Sequence, residues 1–276
     1  MNKGSFLLYF FSVILIQGCS SSHYIAQSAT QQILKQQTLE SAHIGISIYD
    51  ATSNSFLYNY QGDKYFIPAS NTKLFSLYAG MKYLGDSLIG IRYIKRDSDI
   101  LVLPTGDPTL LHRDFLHQPI VDFLKDKNVY LLDPNWREKA LGAGWSWDDY
   151  NDDYMVERSA MPVYGNFIQW VQVKQPDGTF SNYSIPDVNW KVKFSDTTAK
   201  GFFVKRNQAE NFFTITQGKD EYKEQDVPFV TNGLESAVEL LRDSVNKNIF
   251  ISNSPLNISR SQFIIIHSRP ADSMFK

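Results

Sequence analysis

Two alternating runs separated by four turn-forming residues constrain this chain more than anything else in it. In His43–Asp50, Ile44, Ile46 and Ile48 fall on one face, and in Ser55–Gln61 so do Phe56, Tyr58 and Tyr60. A period of two is the mark of a half-buried strand, and Ala51-Thr52-Ser53-Asn54 has turn chemistry, so the segment is a β-hairpin. The period then changes. After Pro68, Leu74, Leu77, Met81 and Leu84 recur at helical spacing, which predicts a helix over 70–84.

The hairpin and the helix meet at Pro68-Ala69-Ser70-Asn71-Thr72-Lys73. Residues i and i+3 share a helix face, so the Lys73 amine can approach the Ser70 hydroxyl. A serine hydroxyl needs a neighbouring base to become a nucleophile, and a lysine whose pKa is lowered by burial can be that base. The free N–H groups of a helix start would favour an oxyanion nearby, with the N–H of Ser70 as one donor. Ser-x-x-Lys recurs at Ser244–Lys247 and Ser273–Lys276, late in a helix and at the chain end, where no N-terminal helix potential assists. A lone Ser-x-x-Lys is ordinarily a surface turn, so what singles out Ser70 is its context.

The first residues read as an export signal. Lys3 is followed by an apolar run, Phe6–Ile16, broken only by Ser12. The run is shorter than the roughly 20 residues needed to span a bilayer. Ile16-Gln17-Gly18-Cys19 looks like a bacterial lipobox, which implies cleavage before Cys19, acylation there and a membrane anchor at the cell envelope. Gln17 stands where that motif prefers a small residue, so an ordinary signal peptide ending near a Cys is the other reading. Ser20-Ser21-Ser22 reads as a flexible tether, followed by a Gln-rich helix over 26–41. Cys19 is the only cysteine, so an exported chain has no internal disulfide and depends on its core. A formal net charge of −2 gives no support for binding nucleic acid.

Further along, strands are expected over 100–103, 129–132, 167–173, 190–194, 202–206, 212–216 and 263–266. Helices are expected over Asp114–Lys127, kinked at Pro119, and over Leu234–Val245, capped by Asn232. Gly142–Tyr154 reads as an aromatic, acidic loop. Of the five histidines, only His112 and His117 lie close in sequence, and ordinary surface positions account for them.

Several segments match one family in order. Ile67-Pro68-Ala69-Ser70-Asn71-Thr72-Lys73, Tyr83-Leu84-Gly85, Thr105-Gly106-Asp107-Pro108-Thr109-Leu110, Gly144-Trp145-Ser146-Trp147-Asp148-Asp149, and Ser159-Ala160-Met161-Pro162 with Asn166 resemble the D-Ala-D-Ala carboxypeptidase/endopeptidases of peptidase family S13. The resemblance implies an α/β (α+β) penicillin-binding, transpeptidase-like serine hydrolase domain carrying a β-rich insertion. It implies this organisation: signal peptide 1–18, tether and helix 19–42, penicillin-binding part 43–96, inserted part 97–251, and a return at 252–276. Ser70 would be acylated by a peptidoglycan stem peptide and deacylated by water, with no metal or organic cofactor; β-lactams would acylate it as mimics. Asp149 would meet a substrate ammonium, with Tyr154 at the family's nearby aromatic position; a solvated acidic loop, helped by Asp152 and Asp153, is the competing reading.

The family also needs Ser-x-Asn and Lys-Thr-Gly. No Lys-Thr-Gly or Lys-Ser-Gly occurs in these 276 residues. Ser244-Val245-Asn246 has the letters of the former but falls in an expected helix, and Tyr164-Gly165-Asn166 lies too soon after the acidic loop. The resemblance sets 267–276 just ahead of Ser-x-Asn. The chain is therefore expected to be a C-terminally incomplete family member with little or no carboxypeptidase activity. A non-catalytic peptidoglycan-binding lipoprotein is the alternative, and a β-lactamase fits poorly with the insertion and the Asp148-Asp149 loop.

Overall fold

A computed structural model describes residues 20–133, 136–195, 201–245, 248–252 and 259–275. The signal segment and Cys19 lie outside the described residues, as do Asn246 and Lys247. The chain divides into two compact units, 1–75 and 76–276.

In the first unit, helix α1 (Ser20–Ala29) runs into a π-helical turn (Thr30–Leu34) and a short 3-10 turn (Gln37–Leu39). The expected tether is thus the first helical turn, a place where serine is favoured, and the helix ends well before Ser41. Thr30 marks the change of winding, since its hydroxyl donates to the Ala26 carbonyl (2.8 Å) and its own carbonyl accepts from Lys35 N–H (3.0 Å), an i→i+5 bond. The expected hairpin is present: β1 (Ile46–Asp50) pairs antiparallel with β2 (Ser55–Tyr60), with a bulge between Ile48 and Tyr49. Asp50 builds the turn by accepting from Thr52 N–H (2.9 Å) and the Ser53 hydroxyl (2.6 Å). These bonds hold its carboxyl below the usual aspartate range.

The second unit holds most of the core. Its five-stranded sheet has the order β12-β5-β4-β3-β13, formed by β3 (Ser87–Arg96), β4 (Asp99–Pro104), β5 (Asn128–Leu132), β12 (Ile249–Ser252) and β13 (Ile264–Pro270). β3 lies antiparallel to β4 and β13, while β4, β5 and β12 are parallel neighbours. Asp97, the expected start of the inserted part, sits in the β3–β4 hairpin turn with φ of 53°, and Arg96 pairs with Asp99. The sheet therefore continues across that position.

Two three-stranded sheets follow. One is β11-β6-β7, from β6 (Phe167–Lys174), β7 (Phe180–Ile185) and β11 (Tyr222–Pro228). The other is β8-β10-β9, from β8 (Lys191–Phe194), β9 (Phe203–Arg206) and β10 (Phe212–Thr216). Phe213, fully buried, lies with its ring 4.9 Å from Trp170 and nearly parallel to Trp190, and so joins the two sheets.

The helices differ from expectation in two places. Between β4 and β5 only Pro119–Leu124 is helical. Pro119 opens this helix, at a position where its missing N–H costs nothing, and does not kink a longer one. The residues before it are held as a loop by Gln118, whose amide binds Leu111 N–H, Thr109 O and Phe115 O. The helix Glu235–Ser244 packs Ala237, Val238, Leu240 and Leu241 into the core. Asn232 does not cap it with its side chain: it adopts a left-handed φ of 46°, and only its carbonyl receives Glu235 N–H. Among the described residues no helix is long and apolar enough to cross a membrane.

Candidate active site

Ser70 is carried by the segment that leaves β2. Phe66 folds back over the start of β1, stacked on His43 with ring centroids 4.2 Å apart, and a methyl group at Gly45 would lie 2.5 Å from its ring. The chain then turns through Ala69, whose φ of 44° is unusual for a residue with a side chain. Ser70 lies in the 3-10 turn Ala69–Thr72, which continues directly into the helix Lys73–Tyr83. The serine and lysine thus occupy the helical i, i+3 relation that their spacing predicts.

Their surroundings are open. Ser70 and Lys73 are both exposed, and among the described residues no hydrogen bond joins the two side chains. The helix Lys73–Tyr83 buries none of its residues; Leu74, on its apolar side, is 64% exposed, and Ile67 just ahead is 83% exposed. Among the described residues none buries the Lys73 side chain.

The acidic loop is far better ordered by its own contacts. Asp149 accepts a hydrogen bond from the Tyr154 hydroxyl at 2.7 Å, so the two predicted substrate residues are brought together. Asp152 N–H donates to Asp149 O (2.8 Å), and Met155 N–H to Asp152 O (2.9 Å). The bond to Asp149, with a smaller part from Asp152, pushes the Tyr154 phenol up to about 12. Asp148 is engaged elsewhere: the Ser146 hydroxyl bonds it at 2.6 Å and holds its carboxyl below the usual range. Replacing Asp149 by asparagine removes the charge from the Tyr154 hydroxyl. Its ionisation is expected to move from about 12 toward the ordinary 10, read as the difference between ultraviolet titrations of Asp149→Asn with and without Tyr154→Phe.

The loop is fastened to the core by a residue that the motifs did not flag. Arg206, 2% exposed on β9, donates to Pro228 O (2.7 Å), Asn207 O (2.7 Å), Gln208 O (2.8 Å) and, more weakly, Tyr150 O (3.4 Å). Its guanidinium lies over the Tyr150 ring, and its backbone N–H donates to Asn151 Oδ1 at 2.7 Å. Burial lowers the guanidinium's pKa, while Glu157 and Tyr150 act the other way. A signal was present in the sequence: in Phe203-Val204-Lys205-Arg206, alternation puts Arg206 on the same inward face as Val204.

Other motif residues also turn out to be fasteners. Asn166 Nδ2 donates to Glu157 O (2.8 Å) and Ser159 Oγ (3.0 Å), and its Oδ1 accepts from Val163 N–H (3.1 Å). Glu157 Oε2 accepts both the N–H and the hydroxyl of Thr231. Gly106 N–H donates to Ala160 O at 2.7 Å, and Asp107 accepts from the N–H and hydroxyl of Thr109. Gly106 has φ of 78°, which favours glycine there. Among the described residues no group of three or more His, Cys, Asp or Glu side chains is arranged to hold a metal ion.

This mixed α/β architecture of several sheets is similar to that of a solved penicillin-binding protein. It matches the crystal structure of penicillin binding protein 4 (dacB) from Haemophilus influenzae with a TM-score of 0.57 and 17% sequence identity. The match covers 83% of this chain and 57% of that one, so the chain spans little more than half the length of that relative. Residues 26–225 match the sequence model of the D-Ala-D-Ala carboxypeptidase 3 (S13) family, and the chain belongs to that family. No curated protein sequence matched it.

Proposed function

We propose that this chain carries the nucleophile of a serine-type D-Ala-D-Ala carboxypeptidase/endopeptidase acting on peptidoglycan stem peptides. The observation that carries the reading is the placement of Ser70 and Lys73 at the 3-10 entry to a helix, within the region matched by the S13 family. Ser70 Oγ attacks the carbonyl carbon of the penultimate D-alanine and its proton passes to Lys73 Nζ. The proton then goes to the departing amine as the peptide bond breaks and D-alanine leaves. Water hydrolyses the acyl-enzyme and regenerates Ser70. Asp149, oriented by the Tyr154 hydroxyl, pairs with an ammonium of the stem peptide. Residues 43–96 contribute to the penicillin-binding part and 97–251 to the inserted part. An acylated Cys19 would tether the chain to a membrane in the periplasmic cell envelope.

With Lys73 exposed and no Lys-Thr-Gly in the sequence, turnover by these residues alone is expected to be slight. The test is intact mass after incubation with a penicillin, beside D-alanine release from a D-Ala-D-Ala peptide. A slow, substoichiometric adduct that maps to Ser70 and vanishes in Ser70→Ala is the expected result. An adduct that persists in Ser70→Ala overturns the nucleophile assignment, and robust D-alanine release overturns the claim of weak activation. If the folded chain forms no adduct but is retained on insoluble peptidoglycan, the non-catalytic binding role takes its place.

A further inference from the structure

A cleft of about 750 Å³ opens beside the acidic loop, within the second unit. The loop contributes Asp152 and Asp153 to its lining and β11 contributes Lys223, with Arg113 and the exposed ring of Phe203 also lining the space. The floor is rigid. Gln225 reaches from β11 to β9, accepting from Val204 N–H at 2.7 Å and donating to Val204 O at 2.8 Å, as a strand partner would. The loop wall is held by the bond from Arg206 N–H to Asn151.

The charges in this cleft divide into those already satisfied and those left over. Arg113 grips Asp226 with two parallel bonds, at 3.1 and 2.6 Å. The Glu224 carboxylate is bonded by Gln169 and by the Tyr222 hydroxyl. Lys223 Nζ and the Asp153 carboxylate have no hydrogen-bond or ion-pair partner among the described residues, and Asp152 meets only the Tyr154 hydroxyl with its side chain. A cation carried by β11 and carboxylates carried by the loop, beside a fixed amide, match a ligand with separated positive and negative ends. The volume lies in the range of small-ligand sites, about 300–1,000 Å³, while the polar lining disfavours an apolar occupant.

We propose that this cleft is a second binding site, taking a short zwitterionic peptide with its ammonium toward Asp152 and Asp153 and its terminal carboxylate toward Lys223. Nothing in the site requires Ser70, so it is tested in the Ser70→Ala chain, where no acyl-enzyme forms. Isothermal titration with D-alanyl-D-alanine is compared with its N-acetyl form, which lacks the ammonium, and its C-terminal amide, which lacks the carboxylate. Blocking either end is expected to weaken binding about tenfold, the scale of one charge-assisted contact. Asp153→Asn should reduce the penalty for the acetyl group alone, and Lys223→Gln the penalty for the amide alone. Equal affinity for the three ligands, or no saturable binding of the free dipeptide, overturns the proposal.

Discussion

Arg206→Ala is expected to destabilise the second unit by about 3–5 kcal/mol, a large part of the 5–15 kcal/mol that holds a typical domain together. Three carbonyls, of Asn207, Gln208 and Pro228, would lose short charge-assisted bonds, and Tyr150 O a longer one. Each strong bond of this kind contributes about 1.5–3 kcal/mol, and a buried acceptor left alone keeps its desolvation cost. Truncation also opens a cavity, since Arg206 is among the largest side chains that are fully buried. Arg206→Met separates the two effects: it refills the volume, restores no donor, and should recover about 1 kcal/mol of the loss. Urea unfolding followed by tryptophan fluorescence suits the measurement, because all five tryptophans lie within 76–276. A shift below about 1 kcal/mol for alanine would mean that the guanidinium contributes little beyond its surroundings. Amide exchange across 142–154 should quicken in both variants, because the Tyr150 contact is lost.

How much of this was legible before the fold was known depends on where the information lies. The hairpin was legible because period and turn chemistry agree locally: Asp50 makes the turn's hydrogen bonds within three residues of itself. Strand β11 was not, since Tyr222-Lys223-Glu224-Gln225-Asp226 has the composition of a solvated loop. It is a strand because β6 offers it a complete ladder from Phe167 to Val173. Strand β3 was hidden by the continuous run Leu88-Ile89-Gly90-Ile91, whose lack of alternation reflects burial inside a five-stranded sheet. The helix expected from Asp114 failed because one side chain, Gln118, captures the Phe115 carbonyl that a helix would have used internally and ties it to Leu111 N–H and Thr109 O in the loop ahead. At the site, the spacing of Ser70 and Lys73 and the closeness of Asp149 and Tyr154 are local properties and could be read.

Asn166 provides the second large effect, and one that can be divided into its physical parts. It is buried, holds a left-handed φ of 58°, and binds Glu157 O, Ser159 Oγ and Val163 N–H with its amide while its carbonyl accepts Phe229 N–H. It therefore pins the segment after the acidic loop against the start of β6 and the end of β11. Asn166→Ala removes the amide bonds and leaves a side chain where φ disfavours one; about 3 kcal/mol of stability should be lost. Asn166→Gly removes the same bonds but tolerates the backbone, so it should be about 1 kcal/mol less damaging than alanine. The ordering is the test. If glycine is no better than alanine, the left-handed backbone is not what demands asparagine. If both variants lose less than about 1 kcal/mol, the amide bonds are replaceable by water. If the predicted order and size hold, this motif position is explained by how it fastens the acidic loop's exit, with no need for contact with substrate. Asp149 and Tyr154 would then owe their fixed relation to residues at both ends of the loop, Arg206 at Tyr150 and Asn151 and Asn166 at Glu157 and Ser159.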